Sequence, residues 1–197
     1  MNNFWDERYS SNEYVYGIEP NEFYKSEINK LKIGKILFPA EGEGRNAVYA
    51  SKLGWNVTAF DSSVAAKQKA DKLANDNNVK INYLVSDYEK IELQKDYFDC
   101  LVLIFAHSPQ HLRESIHKKL LNFLKPTGTI ILQGFSKDQI NKSSGGPKNV
   151  EMLFSKEELE KDFGSLSKLR IEEKEIYLNE GPFHEGNASV INLVGIK

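Results

Sequence analysis

Short apolar runs alternate with amphipathic stretches along most of this chain. Ile36-Leu37-Phe38, Trp55 to Phe60, Val79 to Val85 and Tyr97 to Phe105 read as strands, and the segments between them carry apolar residues near helical spacing. The run Cys100-Leu101-Val102-Leu103-Ile104-Phe105 has no polar break, as expected of a strand buried on both faces, so it marks the sheet centre. One helix follows Gly44 with Ala47, Val48, Ala50, Ser51 and Leu53 before Gly54; a second runs from Val64 to about Asn75, capped by Ser62 or Ser63. A third starts at Ser108-Pro109, with Ser108 as N-cap and Pro109 as first helical residue, and runs to about Leu124. Pro126 and Gly128 then turn the chain into a fifth strand, Thr129 to Gln133. Strict alternation of strand and helix implies right-handed crossovers and a parallel sheet.

The two ends break this rhythm. Phe4, Trp5, Tyr9, Tyr14 and Tyr16 crowd the opening around Arg8, either as a helical cover on the sheet or as a lid over a small ligand. A helix from Asn21 to Leu31 follows and stops at Gly34. Between Gly134 and Val150 periodicity fades and Ser143-Ser144-Gly145-Gly146-Pro147 marks a flexible loop, before Ser155-Lys156-Glu157-Glu158 opens a helix with a capping box. Leu169 to Leu178 and Ala188 to Ile196 are strands with no helix between them, so they form an antiparallel hairpin. The expectation is an α/β fold of five parallel strands plus a terminal hairpin, helices on both faces, in a single domain over residues 1–197, with 1–31 as cap or lid and 134–150 as the flexible loop.

Composition narrows the function classes. With 40% hydrophobic and 27% charged residues the chain has the balance of a soluble globular domain, and neither a membrane span nor a signal peptide is visible, which makes a cytoplasmic protein the expectation. A net charge of −2 without a basic stripe argues against nucleic acid, and the lone Cys100 excludes an internal disulfide and a cysteine metal site. A monomer or homodimer acting on a small molecule, with no membrane partner, is expected.

The chemistry concentrates where the first strand meets its helix. Gly42 and Gly44 there suit a backbone that passes close to a nucleotide-like ligand, or simply link strand to helix. Asp61, ending the second strand 17 positions after Gly44, is placed as an acid that accepts hydrogen bonds from ribose hydroxyls. Glu41 and Glu43 would repel the pyrophosphate that a helix N-terminus otherwise welcomes. They suit an ammonium group, which favours S-adenosylmethionine over a nicotinamide cofactor. His107, just past the central strand, is either a base for the acceptor proton or a helix neighbour satisfied by backbone. His107, His111, His184, Glu180 and Glu185 make only a weak metal-ligand pattern, so no metal is expected, and His117 reads as a surface helix residue.

With these residues assembled, the chain resembles the class I S-adenosylmethionine-dependent methyltransferases, whose Rossmann-like seven-stranded sheet ends in such a hairpin. Phe4-Trp5-Asp6-Glu7-Arg8-Tyr9, Tyr16-Gly17, Glu19-Pro20-Asn21, the loop Gly145-Gly146-Pro147 and the tail Leu178 to Gly186 resemble small bacterial members related to the tellurite-resistance and thiopurine methyltransferase groups. The resemblance implies a cofactor site built from Ala40, Glu41, Gly42, Gly44, Asn46, Asp61, Ser62, Asp87, Tyr88 and Phe105, with Asp87 at the adenine edge. Phe38 and Ala40 stand where the family usually has an acid and a glycine, which makes Glu41 and Glu43 candidate substitutes for orienting the methionine amine. Phe105-Ala106-His107-Ser108-Pro109 lacks the Asn/Asp-Pro-Pro-Tyr/Phe motif of enzymes that methylate base amines. The acceptor is expected to be a thiol, an oxyanion or a similar small molecule, attended by His107, Arg8 and His184, with S-adenosylhomocysteine as the cofactor product; the alternative is a binder of the same cofactor without turnover.

Overall fold

A computed structural model describes residues 2–197. The alternation closes into one seven-stranded sheet of β1 (Lys35–Pro39), β2 (Asn56–Asp61), β3 (Asn82–Val85), β4 (Phe98–Ile104), β5 (Leu124–Phe135), β6 (Ser167–Asn179) and β7 (Glu185–Ile196), in the order β3-β2-β1-β4-β5-β7-β6. The first five strands pair in parallel, and β7 inserts antiparallel between β5 and β6. The hairpin therefore leaves β6 at the edge. The helices are α1 (Asn2–Arg8), α2 (Glu22–Ile28), α3 (Arg45–Lys52), α4 (Val64–Asp76), α5 (Gln110–Phe123) and α6 (Lys156–Phe163).

The unbroken apolar run of β4 is buried on both sides. Cys100 and Val102 join Ile36, Phe38, Trp55 and Tyr24 on one face, while Leu101 and Leu103 join Leu120, Phe123, Leu132, Phe163 and Leu193 on the other. Period-two alternation in a central strand needs apolar residues at every position to do this. Each such side chain contributes about 1.5–3 kcal/mol when fully buried.

Several boundaries differ from the sequence reading. Pro109 is the N-cap of α5 rather than its first residue. Leu124 enters β5 directly, so Pro126 to Gly128 form an irregular start to a long strand, with Thr127 at φ 68 and a register shift between Phe98 and Cys100. The helix expected from Asn21 is only about two turns long, Glu22–Ile28, because Asn21 accepts the Tyr24 N–H as an N-cap and Asn29 ends it. His117 is buried, not on the surface: its Nδ1 lies 2.8 Å from Asp162 Oδ2, between α5 and α6. The 134–150 stretch contains a 3-10 turn, Lys137–Asn141, and is tied to β7, since Ser144 Oγ donates to Asn187 O and Ser189 N–H donates to Gln139 Oε1. The capping box at Ser155 forms as read, with Glu158 returning to the Ser155 N–H.

Candidate functional site

Strand order reverses between β1 and β4, and open α/β sheets bind ligands at that point, outside the carboxyl ends of the strands. The backbone there is strained on both sides. Ala40 after β1 has φ 50 and Phe105 after β4 has φ 52. Left-handed backbone costs a non-glycine residue roughly 1 kcal/mol or more, so the surroundings over-determine both turns. Gly42 and Gly44 continue the turn at φ 64 and φ 89. A methyl group on Gly42 would stand 2.7 Å from the Tyr9 hydroxyl, and one on Gly44 would stand 2.6 Å from Ala70 Cβ. The two glycines thus admit the first helix above the loop and α4 beneath it.

Three acids, Asp61, Glu41 and Glu43, surround this turn, and they differ sharply in role. Asp61, at the end of β2, accepts the Gly42 N–H on Oδ2 and the Ser63 N–H on Oδ1, both at 3.0 Å. That holds the carboxylate against the loop, although burial raises its pKa. Glu41 accepts the Asn46 and Ala47 N–H groups at 2.9 and 2.8 Å, capping α3. Burial outweighs these bonds and pushes Glu41 up to about 7. Glu43 points the other way: it accepts the Val15 and Tyr16 N–H groups and pairs with Lys69 at 2.7 Å. The paired Glu41 and Glu43 of the sequence reading are therefore not one cation site, because Glu43 fastens the N-terminal segment. Asp87 closes its own turn through the Glu89 and Lys90 N–H groups, beside Ser62 and Tyr88 at the half-buried rim. Asn46 spends its side-chain oxygen on the Asn21 N–H.

Both ends of the chain meet over the same edge. Asp6 accepts from Ser63 Oγ at 2.6 Å and the Ala65 N–H, which docks α1 on the start of α4. The hairpin turn brings His184 against Tyr16 and Phe105, with ring centroids 4.4 and 4.5 Å apart. Beneath them lies a buried polar cluster absent from the sequence reading. Glu180 pairs with Arg45 at 2.8 Å and accepts from Asn21 Nδ2, which also donates to Gln133; Gln133 in turn donates to Asn192. Burial alone would raise Glu180, but His184 and Arg45 override it and hold the carboxyl at about 2. His184 Nδ1 is 3.5 Å from Glu180 Oε2 yet makes no hydrogen bond of good geometry, and burial lowers its pKa. A buried imidazole with one free nitrogen facing a fixed carboxylate is suited to holding or moving a proton.

His107 does not have that freedom. Its Nδ1 lies 2.8 Å from Met152 O and its Nε2 accepts the Phe135 N–H at 3.0 Å, while the ring stacks on Phe154. Burial pushes it down to about 4. It braces β5 against the following loop as a neutral ring, in line with the reading of a ring satisfied by backbone and not with that of a base. Arg45 was missed although a cation directly after the glycine turn is visible in the sequence, and Glu180 was read only in a weak metal-ligand pattern and the tail motif, not as the partner of Arg45.

A family described as "Methyltransferase domain" matches residues 36–128. Among curated relatives, the chain is 33% identical over 114 residues to a ubiquinone biosynthesis O-methyltransferase of Rickettsia bellii, a match covering 56% of this chain and 46% of that protein. The chain thus spans about half the length of the curated relatives it matches. Solved structures share the fold. A structure from work on conversion of a disulfide into a thioacetal during echinomycin biosynthesis aligns over 100% of this chain and 91% of its own, at TM-score 0.83 and 16% identity. An S-adenosylmethionine-dependent methyltransferase from Methanosarcina mazei aligns over 90% and 99% at TM-score 0.73 and 17% identity. TehB from Haemophilus influenzae aligns over 100% and 66% at TM-score 0.71 and 17% identity.

Proposed function

We propose that the chain, whose residues 36–128 match a methyltransferase domain, is a class I methyltransferase that transfers the methyl group of S-adenosylmethionine to a small-molecule acceptor. The observation that carries this reading is Asp61, fixed by two backbone N–H groups beside the Gly42 turn at the switch point of the sheet. In this assignment Asp61 takes the ribose hydroxyls and Asp87, with the Tyr88 backbone, takes the adenine edge. Glu41 lies nearest the methionine amine, whose positive charge would favour its ionised form. Ala40, Gly42, Gly44, Asn46, Ser62 and Phe105 shape the walls.

The acceptor lies between the N-terminal aromatics and the hairpin turn. The cofactor supplies an activated methyl group, so the protein mainly aligns the acceptor atom in line with the sulfonium and keeps water out. His184, held beside Glu180, is the group placed to take an acceptor proton. The opening and tail motifs support a place beside the tellurite-resistance and thiopurine methyltransferase groups, and a thiol or oxyanion acceptor in the cytoplasm fits this reading. Among the described residues no helix is long and apolar enough to cross a membrane. The test is calorimetric titration with S-adenosylmethionine and NAD, followed by an acceptor screen that reads S-adenosylhomocysteine. Equal or tighter NAD binding would remove the cofactor assignment, and cofactor binding without any turnover would favour a sensor.

A further inference from the structure

Of the four arginines in the chain, three face carboxylates: Arg45 on Glu180, Arg113 on Asp162 and Arg170 on Glu27. Arg8 has no carboxylate within ion-pair distance among the described residues. Its guanidinium lies instead over two aromatic rings, 4.4 Å from the Phe183 centroid and 5.1 Å from that of Phe4, with Nη1 3.5 Å from the Tyr16 hydroxyl. Cation–π contact orients a guanidinium without neutralising it. The apolar surface gathers in the same place. Phe4, Trp5 and Phe183 are 55%, 36% and 47% exposed, and they are three of the nine large hydrophobic side chains left in solvent among the described residues. They come from both ends of the chain, and the Tyr16 ring that Arg8 touches is the one that packs on His184.

Building on the acceptor site proposed above, we propose that the acceptor is an aromatic or other apolar-bodied molecule that carries an anionic group. The anion pairs with Arg8, the body lies on Phe4, Trp5 and Phe183, and the atom to be methylated reaches past Tyr16 towards His184. One tyrosine ring separates the Arg8 contact from His184, so the acid and the acceptor atom belong at opposite ends of a body about one aromatic ring long. A compact inorganic oxyanion or a short aliphatic thiol would leave either the cation or the apolar rim without a partner. A bidentate carboxylate would satisfy the guanidinium fork that aromatic faces leave open.

The test separates this inference from the methyltransfer reading by measuring binding as well as turnover. The purified protein with saturating S-adenosylhomocysteine is titrated with 4-hydroxybenzoate, 4-mercaptobenzoate, their carboxamides, and mercaptoacetate. The aromatic acids should bind about tenfold or more tightly than the carboxamides and than mercaptoacetate, which corresponds to roughly 1.4 kcal/mol or more. Arg8→Ala should erase the preference for acid over carboxamide, with Arg8→Lys restoring part of it. Equal binding of acid and carboxamide by the unaltered protein, or no binding of either acid at about 1 mM, would overturn the inference whether or not any acceptor is turned over. Acid binding that depends on Arg8 but yields no S-adenosylhomocysteine when S-adenosylmethionine is supplied would uphold the inference and count against methyl transfer to these acids.

Discussion

Two buried charge clusters in this protein are built from similar residues and do opposite things. Between α5 and α6, Asp162 is fully buried and receives Arg113 Nε at 2.7 Å and His117 Nδ1 at 2.8 Å, with Glu158 3.2 Å from Arg113. Its carboxyl is pushed up by burial, but contact with His117 and Arg113 holds it below the usual range. At the carboxyl edge of the sheet, Glu180 likewise sits against an arginine and a histidine. There the histidine keeps a nitrogen without a hydrogen bond, packs on the Tyr16, Phe105 and Phe135 rings, and lies beside the strained Phe105 turn. Each cluster keeps one buried nitrogen without a hydrogen bond of good geometry, Arg113 Nη1 in the first and His184 Nδ1 in the second, so what differs is that the imidazole is bonded to its acid in one and not in the other. The first cluster joins two helices and is expected to act as a fastening, whereas the second lies at the sheet edge where the acceptor is proposed to bind.

The sharpest way to break this contrast is to remove one member of each cluster. Asp162→Ala strips Arg113 and His117 of the buried carboxylate they share, leaving Arg113 only Glu158, and should cost about 3–5 kcal/mol, read as a lowered midpoint in urea. Cofactor affinity of the folded fraction should not move. A stable Asp162→Ala protein would show that the helix cluster is not a fastening. The sheet-edge cluster should respond in turnover instead. Once an acceptor is in hand, His184→Ala should reduce kcat by roughly 10²-fold or more, with cofactor affinity within a few-fold of the unaltered protein. His107→Ala, by contrast, strips a partner from the Phe135 N–H and Met152 carbonyl and should cost roughly 1–3 kcal/mol in stability. If His107→Ala lost turnover at full stability, the roles of the two histidines would be reversed.

The smallest effect concerns Glu41, the acid of the loop that belongs to neither cluster. Its folded pKa is raised from 4.5 to about 7 by burial, so the folded state holds a proton that the unfolded chain has released between these values. Stability without cofactor should therefore fall as pH rises from about 4.5 to about 7 on account of this group. A cofactor cation beside Glu41 would reverse the preference. Affinity for S-adenosylmethionine should rise about tenfold between pH 6 and pH 8 and level off above. A flat profile, or one retained in Glu41→Gln, would place the amine elsewhere.

What the sequence showed and what it hid divide along physical lines. Strand and helix alternation, the terminal hairpin and the Ser155 capping box are local patterns, and each appears in the fold within a few residues. The glycine turn and Asp61 were legible because their spacing reflects one strand-turn-helix unit. Glu41 and Glu43 were read as a pair because they sit two residues apart, but a left-handed turn at Gly42 sends them to different partners. Arg45 and Glu180 are 135 residues apart, and nothing in a linear pattern joins them. His117 carries the composition of a surface position, and only the approach of α6 buries it. Phe38 reads as a departure from the family acid; in the fold it is a fully buried ring packed on Tyr24.

The central claim, that the Gly42 turn and Asp61 hold S-adenosylmethionine, is tested most directly by calorimetric titration of the unaltered protein and of Asp61→Ala. Hydrogen bonds to a carboxylate are worth about 1.5–3 kcal/mol each, so losing two ribose contacts should weaken S-adenosylmethionine by roughly a hundredfold or more. The circular dichroism of Asp61→Ala should stay native, and NAD should bind the unaltered protein far more weakly than S-adenosylmethionine. Normal S-adenosylmethionine affinity in a folded Asp61→Ala protein would contradict the account.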